Sequence, residues 1–259
     1  MILDEIVEYR AAQLQREIAC VSREEMAAQA EACTRPVLDF PGALKRQTLS
    51  VIAEVKKASP SKGVICPDFH PAQVARRYEA AGANAISCLT EEHYFQGSSA
   101  YFREVRTATT LPMLRKDFIF DPYQVYEARV IGADAILLIC ALLRAEKLRD
   151  LMHLAMSLGL HTLVEVHNEQ ELDSAVAAEA PIIGINNRDL TTFHVDLGTT
   201  ARLSSRIPYP HVLVSESGIS SHADMKAARE NGADAVLIGE TLMRADDIGA
   251  TLAALREGV

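Results

Sequence analysis

Glutamate and lysine side chains at the ends of short apolar runs are the residues of this chain best suited to moving protons. Glu54 lies inside the run 51–55 and Lys56 follows it, Lys116 comes just after the run 111–114, and Glu165 lies inside 162–166. Asn186 and Arg188 follow 182–185, and Glu216 comes shortly after 211–214. Lysines facing glutamates in a partly dry pocket form a proton-transfer arrangement: each sign lets the other stay charged, while burial moves pKa values toward neutrality. One charge at the end of an apolar run could simply mark a wet loop. The set reads differently, because a charge inside an apolar run, such as Glu54 or Glu165, is costly unless paired.

These residues can act together only if the chain gathers the ends of the runs in one place. An internal repeat indicates how. Gly82-Ala83-Asn84-Ala85-Ile86 recurs as Gly132-Ala133-Asp134-Ala135-Ile136 and as Gly232-Ala233-Asp234-Ala235-Val236, at intervals of 50 and 100 residues. Each copy follows a helix-like stretch and opens an apolar run, the pattern of a helix closing on glycine before a strand begins. Eight such runs occur, at 51–55, 85–89, 111–114, 135–139, 162–166, 182–185, 211–214 and 235–238. Near-continuous hydrophobicity over four to six residues suits parallel strands covered on both faces. The expected fold is α/β, a single (β/α)8 TIM barrel over 49–259. Residues 1–48 form an N-terminal helical extension of one or two helices, since Leu3, Ile6, Val7 and Leu14 recur at helical spacing. Residues 1–259 are therefore read as one domain. A doubly wound open sheet would ordinarily carry G-x-G-x-x-G after its first strand, and the chain has none there.

In such barrels the active site lies at the C-terminal ends of the strands, and the loops after strands 7 and 8 usually cradle phosphate. Glu54, Lys56, Lys116, Glu165, Asn186, Arg188 and Glu216 are thus expected in one mouth. Ser217-Gly218-Ile219 and Gly239-Glu240-Thr241 are expected to offer backbone N–H groups to an anion, with the Glu240 carboxylate turned to solvent.

Composition excludes other classes. The chain has 259 residues, 49% of them hydrophobic, and 35 acidic against 26 basic side chains give a net charge of −9. That balance argues against nucleic acid as a partner. The longest unbroken apolar run, 135–143, has nine residues, against roughly 18 for a membrane span. The acidic start, Met1-Ile2-Leu3-Asp4-Glu5, is unlike a signal peptide, and the expected location is cytoplasmic. Five scattered cysteines read as reduced thiols, and eight histidines show no metal-ligand spacing, so no metal is expected. His167, His194 and His222 have no charge-relay partner readable from spacing and are expected at the surface or as caps. Ser215 and Ser217 lack the G-x-S-x-G elbow of a hydrolase nucleophile.

The segment Ile52-Ala53-Glu54-Val55-Lys56-Lys57-Ala58-Ser59-Pro60-Ser61-Lys62-Gly63 closely resembles the signature of the indole-3-glycerol phosphate synthase family. So do Leu114-Arg115-Lys116-Asp117-Phe118, Leu163-Val164-Glu165-Val166, Ile185-Asn186-Asn187-Arg188-Asp189-Leu190 and Ser215-Glu216-Ser217-Gly218-Ile219. The resemblance runs from about residue 2 to the C-terminus and implies a monofunctional enzyme of tryptophan biosynthesis. The implied reaction closes the ring of 1-(2-carboxyphenylamino)-1-deoxyribulose 5-phosphate, a sugar-phosphate anthranilate, giving indole-3-glycerol phosphate, CO2 and water with no cofactor or metal. It makes Lys116 the general acid, Glu165 a base, and Lys56, paired with Glu54, the holder of the substrate carboxylate or a participant in dehydration. Asn186 and Arg188 would orient the anilino group and sugar hydroxyls, with Glu216 completing the polar network. Ser59, Ser217, Gly218, Gly239 and the Glu240 N–H would hold phosphate, and Pro60, Phe118, Leu137, Phe193 and Ile238 would wall the aromatic ring. Many family members have serine or another small residue where this chain has Glu240. The enzyme is expected as a monomer or weak homo-oligomer. Two rival readings are a Schiff-base aldolase with Lys116 as the amine and a catalytically silent sugar-phosphate sensor.

Overall fold

The computed structural model describes residues 2–208 and 211–259. Three helices precede the barrel: α1 Ile2–Cys20, α2 Arg23–Glu31 and the short α3 Phe40–Leu44, one more than the sequence suggested. The added one is a single turn capped by Asp39, with a proline in its first positions. Eight parallel strands then close on one another: β1 Ser50–Val55, β2 Ala85–Leu89, β3 Met113–Lys116, β4 Ala135–Ile139, β5 His161–Val166, β6 Ile182–Asn186, β7 Val212–Glu216 and β8 Ala235–Ile238. Each strand pairs with its neighbours in chain order, and β8 closes on β1 with Ala235 opposite Ser50. The intervening helices are α4 Pro71–Ala80, α5 Ser99–Ala108, α6 Pro122–Ile131, α7 Ala145–Ser157, α8 Glu169–Ala177, α9 Gly198–Ser204 and α10 His222–Glu230, and α11 Glu240–Met243 and α12 Ile248–Arg256 end the fold.

The repeated Gly-Ala-Asx segments prove to be joints at the N-terminal end of the barrel. Gly82, Gly132 and Gly232 adopt φ of 84°, 93° and 84°, the left-handed conformation that ends a helix cheaply only at glycine. Two residues later the Asx side chain accepts a backbone N–H from the preceding strand region. Asn84 takes that of Val51 at 2.9 Å, Asp134 that of Met113 at 2.8 Å and Asp234 that of Leu213 at 2.9 Å. One motif thus closes a helix and ties down the start of the neighbouring strand.

Strand parity sorts the side chains into two layers. Ile52, Leu114, Leu137, Leu163, Ile182 and Val214 form an inner cluster, whereas Val51, Ala53, Met113, Val164, Ile183 and Leu213 pack between strands and helices. Continuing the inward parity by two residues reaches Glu54, Lys116, Glu165 and Glu216, so four charged groups crown the apolar filling. Three strands run further than the apolar runs suggested: β3 through Lys116, β6 through Asn186 and β7 through Glu216. Pairing inside the fold permits this. Arg115, which points away from the barrel axis, is fully buried yet donates to Asp117 at 2.9 Å and Glu127 at 2.6 Å. Arg10 of α1 bonds both Asp117 oxygens, at 3.0 and 3.1 Å. The end of β3, which carries Lys116, is therefore fastened from behind to the N-terminal extension.

Candidate active site

A cavity of about 550 Å³ opens at the C-terminal ends of the strands. All seven polar residues singled out from the apolar runs line it: Glu54, Lys56, Lys116, Glu165, Asn186, Arg188 and Glu216. The Lys116 ammonium stands 2.9 Å from Glu165 Oε2 and 3.3 Å from Glu216 Oε2. Lys56 Nζ lies 2.5 Å from Glu54 Oε1. Asn186 Nδ2 donates to Glu165 Oε1 at 3.2 Å, and its own oxygen accepts the Arg188 backbone N–H at 3.0 Å. The Arg188 guanidinium donates to Phe193 O at 3.3 Å, which folds the loop after β6 against the mouth.

These contacts set the charge states. Burial works against the Lys116 ammonium, but Glu165, Glu216 and Glu54 outweigh it and hold its pKa well above the usual lysine range. A Schiff-base lysine needs the opposite, a lowered pKa that frees the amine, so these neighbours disfavour an aldolase nucleophile. Burial would raise Glu165, yet Lys116 and His167 outweigh it and keep its carboxyl well below the ordinary carboxylate range. Glu216 goes the other way. Burial and the neighbouring Glu165 charge push its pKa up to about 7 against the pull of Lys116. Its Oε1 is buried with no hydrogen-bond partner among the described residues. That oxygen occupies the place a side chain on Gly184 would need.

A carboxyl whose pKa rises on folding binds its proton more tightly in the native state, so stability falls as pH climbs from the unfolded value of 4.5 toward about 7. Glu216→Gln carries no such titration. Its melting temperature relative to the parent should rise between pH 5 and pH 8, and differential scanning at the two pH values reads this. A constant or falling difference would mean that Glu216 is already ionised at pH 5.

The candidate phosphate side is built from the loops after β1, β7 and β8. Ser59, Ser217, Gly218, Gly239 and Glu240 all border the cavity. Ser217 at φ 65° and Gly218 at φ 86° turn two successive residues into the left-handed region, strained for the serine. Asn187 supports that turn by donating to Glu216 O and Ser217 O, at 3.0 and 3.1 Å. A Cβ on Gly239 would collide with the Glu54 carboxylate and come within 2.9 Å of Lys56 Nζ, so a side chain there would displace the Glu54–Lys56 pair. The Glu240 carboxylate, expected to turn to solvent, is part-exposed and accepts from the exposed Arg244 Nε at 3.0 Å, with Lys62 Nζ at 3.9 Å. One helical turn separates Glu240 from Arg244, and the pairing follows from that spacing.

Pro60, Phe118, Leu137 and Phe193 line the cavity with apolar surface, with Phe193 held at φ 60°. Ile238 borders the cavity, but it packs in the outer layer between strands and helices, and Leu237 is its inward neighbour. Sequence reasoning missed Ile2, Leu3 and Ile6 of α1, which roof the cavity, because helical periodicity says which face is apolar and not what it covers. It also missed Phe95, whose ring sits 5.9 Å from that of Phe118. The buried Glu91 carboxylate fixes Phe95 by accepting the backbone N–H groups of His93, Tyr94 and Phe95, each at 2.8 Å. His167 is a correction. It is no surface cap: its ring lies against Glu165 and Glu171, and continuing the inward parity of β5 by two residues beyond Glu165 would have found it. His194 and His222 are exposed as expected.

Comparison with known proteins gives a consistent result. The family model described as indole-3-glycerol phosphate synthase matches residues 3–255. Proteins of that name are similar over the whole length: one from Acetivibrio thermocellus is 51% identical, covering 96% of each chain. One from Alkaliphilus metalliredigens is 46% identical, over 100% of this chain and 99% of its own. Among solved structures, an N-acetylmannosamine-6-phosphate 2-epimerase from Clostridium perfringens superposes with a TM-score of 0.64 at 14% identity, covering 81% of this chain and 93% of that one. At that identity the likeness concerns the fold.

Proposed function

The chain belongs to the indole-3-glycerol phosphate synthase family, a decarboxylating lyase of tryptophan biosynthesis, and from that premise we propose how its residues divide the reaction. The observation that carries the proposal is the Lys116 ammonium, part-buried in the cavity between Glu165 and Glu216. Lys116 protonates the ribulose C2′ oxygen as the ring carbon bearing the carboxylate attacks C2′. That attack interrupts aromaticity, and a fixed donor on the developing oxyanion lowers its barrier. Loss of CO2 restores the ring, and elimination of water completes the indole.

Glu165, kept ionised by its neighbours, takes the proton released late in the sequence. Lys56, paired with Glu54, holds the substrate carboxylate or assists dehydration. Asn186 and Arg188 orient the anilino nitrogen and the sugar hydroxyls, and Glu216 completes the polar network around Lys116. Ser59 and the backbone at Ser217, Gly218, Gly239 and Glu240 take the phosphate, while Pro60, Phe118, Leu137 and Phe193 face the aromatic ring, with Ile238 at its rim. No helix among the described residues is long and apolar enough to cross a membrane. We take the protein to be a cytoplasmic monomer or weak homo-oligomer without nucleic-acid partners, with residues 1–48 packed as an extension on a single barrel domain over 49–259.

Indole fluorescence rising on addition of the carboxyphenylamino-deoxyribulose phosphate tests the activity directly, and its absence would overturn the reading. Glu240→Ser tests the phosphate side. It keeps the backbone N–H and releases Arg244 and Lys62 toward an anion, so KM should stay level or fall, by at most about fivefold on the scale of exposed ion pairs. A sharp rise in KM would give the carboxylate a direct binding role.

A further inference from the structure

We propose that His167 is a positioning residue for Glu165: clamped by Glu171, its ring fixes the Glu165 carboxylate and holds it in the ionised, proton-accepting form. The inference rests on the reading of Glu165 as the base.

The clamp is geometric. Glu171 Oε2 receives both the His167 ring Nδ1, at 2.9 Å, and the His167 backbone N–H, at 2.9 Å, so the imidazole cannot swing away. The other Glu171 oxygen accepts from Asn168 Nδ2 at 2.7 Å, and the Glu171 backbone N–H donates to Asn168 Oδ1 at 3.0 Å, which locks the carboxylate into the first turn of α8. From this seat His167 Nε2 reaches to 3.3 Å from Glu165 Oε1, an ion-pair contact and not an aligned hydrogen bond, and it has no other partner among the described residues. The His167 side chain is only 12% exposed. Both Glu165 oxygens are thereby engaged, Oε2 by Lys116 and Oε1 by Asn186 and His167.

The charged groups against the ring are Glu165 of β5 and Glu171 of α8, with Lys116 and Glu216 beyond Glu165, and the Cys140 thiol just after β4 lies near the same two carboxylates. Burial and the carboxylates of Glu171 and Glu165 push the Cys140 thiol up to about 12, so it stays neutral. Burial disfavours imidazolium, but the two carboxylates outweigh it and raise His167 to about 10. The positive ring is the part that matters for catalysis. Lys116 changes its interactions with Glu165 as it donates its proton to substrate, whereas His167 keeps a cation beside Glu165 throughout. A cap that merely began α8 would need only the backbone N–H.

The test separates this inference from the reading it rests on. Full turnover in Glu165→Gln would remove the base itself. With Glu165→Gln inactive, His167→Asn should lower kcat by about tenfold or more, the scale of losing the orientation of a reacting group. Glu171→Gln should lower it by less, with KM little changed in both. A folded His167→Asn enzyme with the parent's kcat would overturn the proposal. Nitrogen NMR of the imidazole rings in the wild-type enzyme decides the matter without requiring a catalytically competent variant, the His167 signal being the one absent from His167→Asn. The ring should be doubly protonated at pH 8, where an ordinary histidine is neutral. A neutral ring at that pH would equally overturn the proposal.

Discussion

Lys116→Met is expected to lower kcat by at least about a hundredfold, the scale of losing a general acid, while KM changes little. Methionine matches lysine in length and keeps the apolar stem packed, so the change removes the ammonium and little else. What it leaves behind matters as much as what it removes. Glu165 and Glu216 would face each other in a buried site without the cation that now lies 2.9 and 3.3 Å from them. Two such carboxylates do not both stay ionised, and Glu216, already pushed up to about 7, takes up the proton while His167 keeps Glu165 ionised. Steady-state turnover followed by indole fluorescence measures the loss, and thermal melting confirms that the variant is folded. Near-normal turnover in a folded variant would remove Lys116 from the mechanism.

The largest expected effect on stability lies one residue further on. Asp117→Ala should cost about 3–5 kcal/mol, the usual consequence of removing one partner from a buried ion pair. Asp117 is buried between the guanidiniums of Arg10 and Arg115, both fully buried themselves. Its removal leaves Arg10 to Glu17 at 3.0 Å and Arg115 to Glu127 at 2.6 Å. Urea titration of the variant reads the loss. A double variant, Arg10→Met with Asp117→Leu, should recover part of it, because the fully buried Arg10 charge leaves with its partner and only the part-exposed Glu17 loses an ion pair. A loss below about 1 kcal/mol for Asp117→Ala would mean that the arginines relax onto the remaining glutamates, as surface pairs do. The comparison also separates stability from chemistry: Asp117 braces the strand that carries Lys116, and Lys116 itself lines the cavity.

The eight strands were legible because a parallel strand buried on both faces must be apolar along its whole length, and no other short element imposes that. The repeated Gly-Ala-Asx segments were equally readable, since left-handed φ after a helix selects glycine. The charged positions of the candidate site were legible for a related reason. A glutamate inside or a lysine just beyond an apolar run is rare enough to stand out, as Glu54, Glu165 and Lys116 did. Strand ends were harder to see. A run appears to stop at its first charge, and nothing local says that Arg115 is buried against Asp117 and Glu127, or that β7 continues through Glu216.

By itself, then, the sequence determined the barrel, its order of strands and the set of charged groups at its mouth, because these depend on periodicity and on the cost of burying charge, both local properties. Only the tertiary structure decided which glutamate pairs with which lysine. It also decided that α1 roofs the cavity with Ile2, Leu3 and Ile6, that Glu240 folds onto Arg244, and that His167 faces Glu165 instead of water. Those outcomes depend on distances between segments far apart in the chain, and on the sum of burial and several neighbouring charges at each site. The same sum sends Glu165 and Glu216, two glutamates with one intrinsic pKa, in opposite directions.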